Sequence, residues 1–168
     1  MRPPSCRDIF LEDFARLWKC AADRPETGKK SLMKTKFALT LADARRVAAA
    51  AAEEARRNDW RVVIAIVDDA GLPVYLERHD GVQPASCDIA QHKARTAALF
   101  RRPTRALEET VAGGRVALLG LPQITPVEGG LPLLHEGQVV GAIGVSGLQS
   151  FEDGIVAKAG AEALGADG

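Results

Sequence analysis

Pro126 to Gly147 reads PVEGGLPLLHEGQVVGAIGVSG. Two apolar runs, Leu131–Leu134 and Val139–Val145, flank the dipeptide Glu136-Gly137, which is the pattern of a tight β-hairpin. Glycines at 129, 130, 141, 144 and 147 sit in or beside those runs. Glycine weakens a strand, because it loses the most backbone entropy and has no side chain to pack, so it marks places where something comes close. The expected occupant is an alanine-rich helix of the same chain, with room for a flat guest only near Gly129-Gly130. A dinucleotide fingerprint is excluded, because its glycines belong in a turn between strand and helix, and Gly141 and Gly144 lie inside an apolar run. Gly144-Val145-Ser146-Gly147 is one residue short of a nucleophile elbow.

Upstream, RVVIAIVDD and PVYLERHD flank Ala70-Gly71-Leu72 and predict a first hairpin, with Asp68 and Asp69 as turn residues. LADARRVAAAAAEEARRNDW predicts a long helix with Leu41, Ala44, Val47, Ala48, Ala51 and Ala55 on one face. Thr40 and Asp43 are close to a capping box, and Asn58 is a stop. CDIAQHKARTAALFRR predicts a second long helix that Pro103 ends. Thr104 is placed to cap a short third helix closed by Gly113-Gly114, and FEDGIVAKAGAEALG predicts a terminal helix. ALLGLPQITPVEGG is expected to lead into a further strand ahead of the quoted hairpin. The order α-β-β-α-α-β-β-β-α predicts an α+β layer protein around five antiparallel strands.

Of the 168 residues, 22 are basic and 22 acidic, so no global charge draws the chain to nucleic acid or an anionic membrane. No apolar run reaches the roughly 18 residues of a membrane span. Cys6, Cys20 and Cys87 follow no metal spacing, which suits a reduced, cytoplasmic setting. Residues 1–32 read as an N-terminal extension, an amphipathic helix in RDIFLEDFARLWKCAAD plus a polar linker, or as sequence upstream of a natural start at Met33. Residues 33–168 read as the domain.

Candidate functional residues follow from charge beside the glycines. Glu128 precedes Gly129-Gly130, and Lys93, Arg95, Arg101 and Arg102 on the second long helix can partner it. Such a cluster is either an ion pair joining helix to sheet or a polar group at a pocket mouth. His79, His92 and His135 form no i,i+4 pair and read as surface or satisfied histidines, and no metal site is predicted.

LTLADARRVAAAAAEEARRNDW, VVIAIVDDAGLPVYLERHDG, KARTAALFRRPT, PVEGGLPL and GQVVGAIGVSG resemble, in register, the GlcG/HbpS family of haem-binding or haem-degrading domain proteins, from about Met33 to Leu164. The resemblance implies a bacterial protein with a profilin-like α+β fold, a five-stranded antiparallel sheet flanked by helices. It also implies a homo-oligomer, tetramer or octamer, with haem as cofactor or ligand. Thr104 matches the threonine implied to touch haem. The axial histidine that another branch carries in its first helix has no counterpart between Thr40 and Trp60.

Two functions are therefore expected. The first is a small-molecule-binding accessory protein for haem or a related tetrapyrrole, with Lys93, Arg101, Thr104, Glu128, Gly129 and Gly130 at the site. The alternative is an isomerase- or hydrolase-type enzyme acting on a small organic acid in a catabolic operon. There Glu128 would be the catalytic acid/base and Lys93 or Arg101 the carboxylate anchor.

Overall fold

The computed structural model describes residues 33–165, and the regular structure lies in the unit Lys36–Gly168. The expected N-terminal helix, with Cys6 and Cys20, falls outside the described residues.

Helix α1, Leu41–Arg57, begins at Thr40, whose hydroxyl accepts from the Asp43 backbone N–H while the Asp43 carboxylate accepts from that of Thr40. Both halves of the capping box are present. Ala44, Val47, Ala48, Ala51 and Ala55 are buried as expected, whereas Leu41, in the first turn, stays exposed. Strands β1, Val63–Asp68, and β2, Pro73–Arg78, form the first hairpin. Its turn is held by Asp68, whose carboxylate accepts from the Ala70 and Leu72 backbone N–H groups.

Helix α2, Ala85–Phe100, ends on Arg101 in the left-handed conformation, and α3 spans Thr104–Ala112. A 3₁₀ turn at Val116–Gly120 precedes strands β3, Gly130–His135, and β4, Gln138–Ser146; helix α4, Ser150–Gly165, closes the chain.

The sheet order is β2-β1-β4-β3 with every pairing antiparallel. Among the described residues it has four strands instead of the five expected. The absent one is the strand expected ahead of the hairpin, in ALLGLPQITPVEGG. That segment carries Pro122 and Pro126, which cannot donate to a ladder, and Gln123 is left-handed at φ 60. It is pinned to α2 through a side chain instead. The Thr125 N–H donates to the Thr96 hydroxyl at 2.9 Å, and that hydroxyl donates to the Gln123 carbonyl at 3.4 Å.

Both sheet faces are covered, which is why β1 is apolar along its length instead of alternating. Val62, Ile64 and Ile66 join Leu133, Ile143 and Val145 in the core beneath α1 and α4. Val63, Ala65 and Val67 face α2 with Ala142, Ala90, Ala94 and Ala97. On the α2 face, strand register aligns Ala65, Gly144 and Gly130 in one row across three strands. A Cβ on Gly144 would meet the Ala90 carbonyl oxygen and would come within 2.5 Å of the Ala94 nitrogen. The helix backbone therefore rests directly on the strand backbone, and close helix packing is the reason for this glycine. On the other face Gly160 performs the same service where α4 crosses α1, beside Val47 and Ala51.

Candidate functional site

Four of the six expected site residues converge where α2 crosses the start of β3. Lys93 is buried, with its Nζ donating to Asp153 Oδ2 at 2.8 Å and to the Val145 carbonyl at 3.1 Å. Asp153, from the first turn of α4, is equally buried, and its other oxygen accepts from the Leu148 N–H at 3.2 Å. Desolvation pushes the Asp153 carboxyl up to about 6, outweighing the pull of the Lys93 ammonium. Gly129, at φ +123, lets this pair pass, since a Cβ there would lie 2.9 Å from both Lys93 Nζ and Asp153 Cβ.

Thr104 is fully buried in the same region. Its hydroxyl accepts from the Gly130 N–H at 2.9 Å and donates to the Gly130 carbonyl at 3.3 Å. It does not cap α3, whose N-cap is Pro103. A Cβ on Gly130 would lie 2.5 Å from the Lys93 carbonyl and 2.7 Å from Thr104 Cγ2. The expectation of a flat guest beside Gly129-Gly130 is thus corrected: within the chain that space holds Lys93, Asp153 and Thr104. Thr104→Val should leave the buried Gly130 N–H without a partner and lower stability by about 1–3 kcal/mol. Thr104→Ser should recover most of that in urea denaturation.

Glu128 turns away from this cluster. Its carboxylate lies over Gly154 in α4 and 3.9 Å from Arg105 Nη1, while its backbone N–H donates to Glu108 Oε2 at 2.7 Å. Its cationic neighbour comes from α3, not from α2 as expected. Arg101 lies apart, in a groove with Lys36, Asp69 and Gln138. Sequence reasoning misses Asp153; the signal for it is the demand of a helix-face lysine for a buried anion.

Two larger cavities, each about 510 Å³, open elsewhere. The polar one runs along α2, lined by Asp88, Gln91, His92 and Arg95, with Gln123 and Thr125 opposite. The apolar one lies between residues 37–39, the first turn of α1 and the β3–β4 hairpin. Phe37, Leu39, Leu134, Val140 and Leu164 wall it, and Asp43, Arg46, His135 and Glu136 supply its polar groups. The hairpin turn is fixed by Glu136 and Gly137, both left-handed at φ 46 and 74, the geometry of a type I′ turn. It places His135 opposite Gln138, with the imidazole edge-on to the Phe37 ring at a centroid distance of 4.6 Å. Hydrogen bonds from the Thr40 side chain and backbone hold the Asp43 carboxyl below its ordinary range, and Arg46 lies 3.6 Å away.

An antiparallel sheet covered by helices, with ligand-sized cavities at its margins, defines a small mixed α/β domain. Residues 39–162 match the family described as Haem degrading protein HbpS-like. Protein GlcG of Escherichia coli K12 is 48% identical over 114 residues, covering 68% of this chain and 85% of that protein. The crystal structure of a double mutant of Streptomyces reticuli HbpS is 33% identical, with a TM-score of 0.74 over 84% of this chain and 97% of the other. The crystal structure of a PduOC:haem complex is 27% identical, with a TM-score of 0.69 over 76% of this chain and 95% of the other. The chain belongs to the GlcG/HbpS family.

Proposed function

We propose that this chain is a small-molecule-binding protein whose ligand is haem or a related tetrapyrrole, held in the apolar cavity beside the β3–β4 hairpin. The observation that carries this is the character of that cavity. Its volume, about 510 Å³, is in the range of small-molecule pockets, and apolar side chains from three elements wall it. A macrocycle needs apolar contact on its faces and a cation near its propionates; Arg46, which pairs with Asp43 at 3.6 Å, lines the same space. The relationship to PduOC, whose haem complex is known, supports the choice of ligand. Bound haem would supply an iron centre open to axial ligation.

The organic-acid enzyme is the weaker reading. Glu128 is engaged with Arg105, Lys93 is buried against Asp153, and Arg101 lies in another groove. These three residues do not converge on one open cleft. Self-association completes the proposal, with the exposed Val116, Leu119 and Leu121 around the 3₁₀ turn offering apolar surface for a second copy.

Hemin titrated into the full chain should produce a saturable Soret shift with micromolar or tighter affinity. Leu134→Asp, which places a charge against the macrocycle in the cavity wall, should weaken binding by at least tenfold. A linear, non-saturating titration would refute the proposal.

A further inference from the structure

We infer that His135 is the axial ligand to the iron of the bound tetrapyrrole, an assignment that rests on the haem reading above. An iron ligand in a small-molecule pocket must offer a lone pair into space that also accepts the macrocycle's apolar faces. Imidazole is the neutral nitrogen donor that proteins use for haem iron.

The chain has three histidines, and their surroundings separate them. His79 follows β2, with Nε2 3.4 Å from Glu77 Oε1, and lines neither of the two larger cavities. His92 lies in the polar groove among Asp88, Gln91 and Arg95, where a macrocycle would be set against charged and amide side chains. His135 lines the cavity walled by Phe37, Leu39, Leu134, Val140 and Leu164, with Asp43, Arg46 and Glu136 on its polar side and Asp43 within electrostatic reach of the ring.

Its position is also controlled. His135 is the last residue of β3, and the two left-handed residues after it lock the turn. The Phe37 ring meets the imidazole at an interplanar angle of 81°, restricting its rotation. A strand-end position with an aromatic ring against one edge is a setting that favours one orientation of a metal-binding imidazole. Among the described residues no cluster of three or more His, Cys, Asp or Glu side chains could hold a free metal ion. One imidazole suffices for haem, because the macrocycle brings the other four nitrogens.

The test compares ferric haem binding to the full wild-type chain, His135→Ala and His92→Ala, read by absorption and electron paramagnetic resonance. Wild type and His92→Ala should share one Soret maximum and one nitrogen-ligated iron signal. His135→Ala should bind at least tenfold more weakly and lose that signal, and millimolar imidazole should restore it. His135 is exposed on the hairpin, so the variant should keep the wild-type circular dichroism; His135→Gln provides a second variant of similar polarity. If wild type binds haem saturably and both His135 variants match it in spectrum and affinity, the ligand assignment is overturned while the haem reading stands. If wild type itself shows no saturable change, the haem reading fails and this assignment falls with it.

Discussion

Gly144→Val will leave the chain unable to reach its native fold, or will lower stability by at least about 4 kcal/mol, the exceptional end for one substitution. Even a methyl group at this position meets the Ala90 carbonyl and the Ala94 nitrogen. Those atoms belong to the backbone of α2, so no side chain can swing aside. Relief requires lifting the helix off Ala65, Gly144 and Gly130 together, which would expose the alanines buried on the α2 face. Gly120→Ala is the control, since nothing lies within 4 Å of a Cβ there. Soluble yield and urea midpoints should separate the two, with Gly120→Ala within about 0.5 kcal/mol of wild type. A Gly144→Val protein with near-native stability would show that α2 does not rest on this strand.

Lys93→Met should cost about 3–5 kcal/mol, because it leaves the Asp153 carboxylate buried without its counter-charge. The loss should depend on pH. In the folded chain the Asp153 carboxyl titrates at about 6, against about 3.9 for an unperturbed aspartate. Between those values the folded state holds a proton that the unfolded chain has released. The contribution of protonated Asp153 is therefore full below about pH 4 and is lost as pH rises through 6, on the order of 2–3 kcal/mol at 1.36 kcal/mol per unit. Removing Lys93 takes away the attraction that favours the charged form, so the Asp153 titration should move higher still. The Lys93→Met penalty should accordingly be larger at pH 8 than at pH 5. Asp153→Asn should flatten the wild-type slope between pH 4 and 6. Equal penalties for Lys93→Met at the two pH values would mean that Asp153 does not answer to this lysine.

The hairpins, the capping box at Thr40 and the alanine faces of α1 and α2 are legible in the sequence because each rests on neighbours within a few residues. Gly144 is legible too, since a glycine inside an apolar strand, in a chain rich in alanine helices, points to a helix backbone lying close against it. What sequence does not show depends on partners far along the chain. Asp153 lies 60 residues from Lys93, and nothing local in Phe151-Glu152-Asp153-Gly154 distinguishes the buried acid from its neighbour. Thr104 reads as a helix cap because capping is local, but the stronger claim on its hydroxyl comes from Gly130, 26 residues away. The expectation of a fifth strand rests on the apolar residues of ALLGLPQITPVEGG, while Pro122 and Pro126 withhold the hydrogen bonds a ladder needs. His135 reads as a surface histidine and is exposed; what sequence does not show is its ring contact with Phe37, nearly 100 residues away.

The trough that seats α2 also bears on how relatives of this chain can be recombined. Where two backbones touch without a spacer, the spacing between the layers has no slack to absorb a change made on one side only. Chimeras that exchange β1, β4 and the start of β3 together with α2 should remain soluble, whereas those that import any one of these parts alone should precipitate.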